Sequence, residues 1–122
     1  MTSRLAAALR AAADGLDADQ AAAELIISHG TFLERGEFSR YITTGPSISD
    51  GTTLALIDWD VALAALDRGG LAVSGSERHI LLIAASLAAG PPVSLRDVIP
   101  GFDQRNLHLV TAAIRRAAGQ RP

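Results

Sequence analysis

The stretch "SGSERHILLIAASLAAGPP", Ser74 to Pro92, constrains the fold more than any other part of this chain. Ser74 and Glu77 have the S-x-x-E spacing of a capping box, in which the serine side chain and the glutamate each accept a backbone N–H at a helix start. Ile80 to Ile83 are apolar on every side, so the helix has no face to give to water. Gly90 and the two prolines after it stop it sharply. A short helix that is apolar all round must be enclosed by other elements, so the rest of the chain has to form a sheath. The expectation is a mainly α fold: a compact bundle of five or six helices with at most a minor two-strand β element.

The remaining segments fit that plan. "SRLAAALRAAAD" reads as a first helix capped by Ser3 and ended at Gly15. "ADQAAAELIISH" reads as a second, started by Asp17 with Gln20 in a capping-box arrangement, and with Ala18, Ala21, Ala22, Leu25 and Ile26 on one face. The chain has 23 alanines, which favours helix and permits close helix approach. A first helix so poor in large apolar residues needs a surface to lie on, and a second copy of the chain is one candidate. Phe38, Tyr41 and Ile42 have helical spacing, although Phe38, Arg40 and Ile42 also alternate as a strand would. "TTLALID" and "GGLAVSG" are short extended pieces expected to pair as a ribbon. Ser94 is expected to cap a short helix, "LRDVI", and Asp103 a last one, "QRNLHLVTAAIRRAAG", with Leu107, Val110, Ile114 and Ala117 facing inward. The 122 residues suit one helical domain, of which residues 74–119 form a trihelical unit.

Composition removes several chemistries. The chain has no cysteine, which excludes disulfides, thiolate nucleophiles and cysteine-ligated zinc, and fits a cytoplasmic location. The three histidines, His29, His79 and His108, lack the spacing of a metal motif. His29 is placed at a helix C-terminus, where the dipole favours a charged imidazole. No glycine-rich phosphate loop exists, and no cofactor is expected. The longest uncharged run, His79 to Leu95, is broken by Gly90-Pro91-Pro92 before the roughly 20 residues of a membrane span, so no membrane partner is expected.

Two constellations invite a catalytic reading and have a simpler one. In "LALIDWDVALAAL", Asp58 and Asp60 flank the single tryptophan, Trp59. Asp58 stands where an N-cap belongs and Asp60 in the first helical turn, where negative charge meets the positive helix end. Trp59, Ala62, Leu63 and Leu66 share a face, so the indole is expected to pack inward. Ser76, Glu77 and His79 suggest a hydrolase, but all three lie on one helical turn, whereas triad members converge from separate elements. A pocket lined by His79, Asp58 and Glu37 is the arrangement that would speak for an enzyme.

The C-terminal third carries the remaining signal. A long helix, a tight break, a short helix, a turn and a long helix follow one another in "SERHILLIAASLAAGPPVSLRDVIPGFDQRNLHLVTAAIRRAAG". This outline resembles the winged-helix DNA-binding family. The resemblance implies "SLRDVI" as the positioning helix and "DQRNLHLVTAAIRR" as the recognition helix, with Gln104, Arg105 and Asn106 at its N-terminal end. Gln104, His108, Thr111 and Arg115 lie on one stripe, and Arg116 follows. Arginine and glutamine make bidentate contacts to bases.

Charge weighs on the other side. Residues 1 to 60 hold four arginines against nine acids, and residues 61 to 122 seven against four, so the chain is net acidic at -2. Residues 96 to 122 alone hold five arginines against two aspartates, a small basic footprint for phosphate binding. The first expectation is therefore a small non-catalytic protein–protein interaction or adaptor module, whose partner is another protein or a second copy in a homodimer. The alternative is a helix-turn-helix-like DNA-binding regulator using the 94–117 helix pair. On either reading the contact residues are Gln104, Arg105, His108, Thr111, Arg115 and Arg116.

Overall fold

The computed structural model describes residues 2–120. Met1, Arg121 and Pro122 lie outside the described residues, and with them the ends of the expected domain and one of the C-terminal arginines. The fold is mainly α with a two-stranded antiparallel sheet. In chain order it contains α1 (Thr2–Ala12), α2 (Asp17–His29), the single turn α3 (Thr31–Glu34), a 3-10 helix (Gly36–Tyr41), β1 (Ile42–Pro46), β2 (Thr53–Ile57), α4 (Trp59–Asp67), α5 (Gly75–Ala89), the single turn α6 (Leu95–Val98) and α7 (Gln104–Ala117).

Local signals set several of these boundaries. Ser74 accepts from the Glu77 N–H, and the Glu77 carboxylate accepts from the Ser74 N–H at 2.8 Å, so the expected capping box closes. Asp58 caps α4 through the Val61 N–H and Asp103 caps α7 through the Asn106 N–H at 2.7 Å. Gly90, at φ +95°, ends α5 in the left-handed conformation that costs glycine little. Three expected caps do not form. Ser3 lies inside α1, Asp17 is the first residue of α2 behind an uncapped Leu16, and the Ser94 side chain makes no capping bond.

The sheet also departs from expectation. β2 pairs with β1, from Ile42 opposite Ile57 to Pro46 opposite Thr53, and not with residues 69–75. Ile42–Pro46 reaches β2 through a short turn around Asp50 and Gly51, where Asp50 accepts from the Thr52 N–H at 2.9 Å. Closing that short loop costs less entropy than reaching past α4. Leu71, the one large residue of "GGLAVSG" that can anchor a strand, is buried in the helical core.

α2 lies at the centre. It packs against α7 and α5 most extensively, and also against α1 and α3. The main core joins Leu25 and Ile26 of α2 with Ile80, Leu81 and Ala84 of α5 and Val110 of α7. An aromatic string, His29–Phe32–Phe38–Tyr41, continues it, with ring centroids 5.3, 5.3 and 5.9 Å apart. A second, smaller core of Ala8, Leu9, Ala13, Ala23 and Ala55 seats α1 on α2 and β2, so the alanine-rich first helix finds its surface within its own chain. Among the described residues no helix is long and apolar enough to cross a membrane.

Candidate functional site

The six residues singled out at the C-terminus divide into two groups. Gln104, His108, Thr111 and Arg115 are exposed along the outer face of α7. Arg105 is turned the other way. One of its guanidinium nitrogens donates to the Ser28 and His29 carbonyl oxygens, at 2.9 and 3.0 Å. These carbonyls end α2, so Arg105 brings positive charge to the negative end of that helix. Arg116 is half-buried and lines a small hollow beside Glu24, Leu25 and Ser28 of α2.

α7 is rotated relative to the stripe expected for it. Val110 is buried and Ala117 packs against the core, as expected, but the residues buried with Val110 are Asn106 and Ala113, with Leu109 packed alongside. Leu107 and Ile114 are 46% and 52% exposed. The cause is the neighbour. α7 lies mainly along α2 and only lightly against α5, so the side that carries Leu109, Ala113 and Arg116 turns inward. Thr111 donates its hydroxyl to the Leu107 carbonyl at 2.7 Å. That satisfies its polar group within the helix. Leu107, Thr111 and Ile114 then form a short apolar seam at i, i+4 and i+7, flanked by His108 and Arg115.

Residues 74–119 contain α5, α6 and α7 in the long, short, long order of the expected outline. α6 is a single turn of four residues, and the main support of α7 is α2, which lies outside that outline.

The catalytic constellations take structural places. Asp58 caps α4 and Asp60 lies in its first turn. Glu77 closes the capping box and accepts from Arg35 at 3.1 Å, while Arg35 also donates to the Ala72 carbonyl at 2.6 Å. The ring of His79 stands edge-on to Phe102, with centroids 6.3 Å apart. Neither of the two hollows along α2 is lined by His79, Asp58 or Glu37. Among those residues no group of three His, Asp or Glu side chains is placed to hold a metal.

His29 corrects its expectation. It is buried against Phe32, and burial lowers its pKa below 6.5, with Arg105 adding to the shift and Glu77 and Asp103 opposing it. Desolvation outweighs the helix end, whose carbonyls are already occupied by Arg105.

The structure also contains a cleft that periodicity alone does not reveal. It has a volume of about 230 Å³ and is bounded by Leu9 of α1, Ala22 of α2, Ala55 and Ile57 of β2, Trp59 of α4 and Ala88 of α5. Among the described residues Asp19 supplies the only charged side chain of its lining. Alanines make up more than half of the wall, and their small side chains leave the space open. The alanine content of the first two helices was the only sequence signal for it. Trp59 is packed against the core, as expected, but is half-buried and forms part of this wall.

Compared with family models, with curated proteins and with solved structures, the chain matches none.

Proposed function

We propose that this chain is a small, non-catalytic protein–protein interaction module that works through the outer face of α7. One observation carries the reading: two large apolar side chains, Leu107 and Ile114, stand half-exposed seven residues apart on one helix edge. Holding such groups in water forgoes burial energy that a partner surface recovers. The spacing suits a second helix laid along α7, as in helix-in-groove recognition. His108 and Arg115 on the flank favour an acidic partner edge. The partner is a second copy of the chain or another protein with an apolar, acid-flanked helix. The absence of cysteine supports the cytoplasm as its place of work.

Two measurements test this together. Should a second copy be the partner, sedimentation equilibrium gives a dimer that Leu107→Asp dissociates. Should the partner be another protein, a photo-crosslinker at position 114 gives one discrete adduct in cell extract, and the same group at position 96 gives none. A monomer that yields no discrete adduct from position 114 refutes the reading.

A second reading draws on the same face. Gln104, His108, Thr111 and Arg115 are exposed in one row, which suits a helix entering a DNA groove. It has fewer cations to work with, since Arg105 is bonded to α2 and Arg116 is half-buried against it. Anisotropy of a labelled random duplex at low and moderate salt separates the two. Steeply salt-dependent binding that Arg115→Ala weakens supports DNA recognition, and no binding at low salt removes it.

A further inference from the structure

We propose that the cleft between α1, α2, β2 and Trp59 is a binding site for a small organic amine: an ammonium group on a compact aromatic or branched aliphatic body. Size, wall chemistry and charge each narrow the ligand.

Size comes first. An apolar cavity of about 150 Å³ holds a benzene ring. At the same packing density the cleft, at about 230 Å³, holds a body of about nine non-hydrogen atoms. The wall is alanine, leucine, isoleucine and the indole of Trp59, which offers an aromatic surface and no acceptor. Most of the ligand is therefore apolar.

Charge selects the polar end. Asp19 is half-buried in the lining, and among the described residues no salt bridge reaches it. The nearest arginine in sequence on α1, Arg10, is held by Glu24 at 2.6 Å. Two helices end at the cleft, α1 at Ala12 and α5 just past Ala88, and both bring the negative ends of their dipoles. The two helices that begin there have aspartates in their first turns, Asp17 and Asp19 in α2 and Asp60 in α4, with Asp58 as cap. Those carboxylates offset the positive helix ends. An ammonium beside Asp19 and the indole gains both an ion pair and a cation–π contact. A carboxylate or phosphate ligand would instead face the Asp19 charge and the ends of α1 and α5.

Trp59 is the one tryptophan of the chain, so its fluorescence reports on this cleft alone. The probes are 2-phenylethylamine, propylbenzene as its neutral isostere and benzoate as an anion of the same size. The amine is expected to give a saturable change at roughly millimolar concentration, as a ligand of this size allows. Propylbenzene is expected to bind about tenfold more weakly, and the anion not at all. Asp19→Asn, with helix content checked by circular dichroism, weakens the amine about tenfold and leaves propylbenzene unchanged. Ala88→Leu, on the half-exposed part of the wall, fills the cleft and abolishes both signals. The proposal is overturned if no probe gives a saturable signal. Equal binding of the amine and its neutral isostere, or an Asp19→Asn variant that keeps the preference, overturns it as well.

Discussion

A single guanidinium nitrogen of Arg105 bridges the Ser28 and His29 carbonyls, and so ties the start of the last helix to the end of the second. The two segments are 77 and 76 residues apart in sequence. A residue that spacing places among the base-reading candidates is thus part of the tertiary scaffold.

The Arg105 bridge predicts a contrast between two arginines of one helix. Arg105→Ala leaves the α2 carbonyls to water and is expected to cost about 1 to 2 kcal/mol, its partial exposure reducing the full worth of a charged hydrogen bond. Arg115→Ala, on the outer face, is expected to change stability by less than about 0.5 kcal/mol. Urea denaturation of the two variants checks this. Equal losses would mean that the bridge contributes nothing.

His29 predicts a pH dependence. Its folded pKa lies below 6.5, so the unfolded chain takes up the proton more readily. The associated stability is complete above 6.5 and is lost as pH falls through the lowered folded value. Denaturation midpoints between about pH 7.5 and about pH 5 should fall in the wild type and fall less in His29→Leu. An identical fall in both would assign the dependence to other groups.

The rotation of α7 predicts which of its apolar residues matter for folding. Val110 is 1% exposed, and Val110→Ala is expected to cost about 2 kcal/mol. Leu107→Ala, at the half-exposed edge, is expected to cost about 0.5 kcal/mol or less while weakening association. The reverse order, read from thermal unfolding, would restore the stripe that includes Leu107.

The aspartates around Trp59 separate by conservative replacement. Asp58→Ala removes the cap of α4 and is expected to cost about 1 kcal/mol, and Asp58→Asn only a few tenths, since asparagine caps as well. Circular dichroism during urea titration measures both. A large loss in Asp58→Asn would show that the negative charge itself is needed.

The outline of the fold was legible because its signals are local. The capping box of Ser74 and Glu77, the caps Asp58 and Asp103 and the break at Gly90 depend only on nearby residues. What was not legible depends on distant neighbours. α7 offers two overlapping stripes that share Val110 and Ala117, and only the position of α2 selects the one with Asn106 and Ala113. The partner of β2 differs from expectation because two extended segments are available and chain connectivity favours the nearer. The cleft was hidden for a related reason. Alanines far apart in sequence become a wall only once α1, α2 and β2 meet.

The central position of α2 bears on how the molecule comes into being. α2 is synthesised before α7, one of its two most extensive neighbours, and the Arg105–Ser28 bridge between them spans 77 residues. Until α7 has been made, the side of α2 that carries Leu25 and Ser28 lacks this cover. A bundle of helices ordinarily folds fast because its contacts are local, and speed falls as contacting residues lie farther apart along the chain. Here the seam between α2 and α7 leaves part of the core open until α7 has been made.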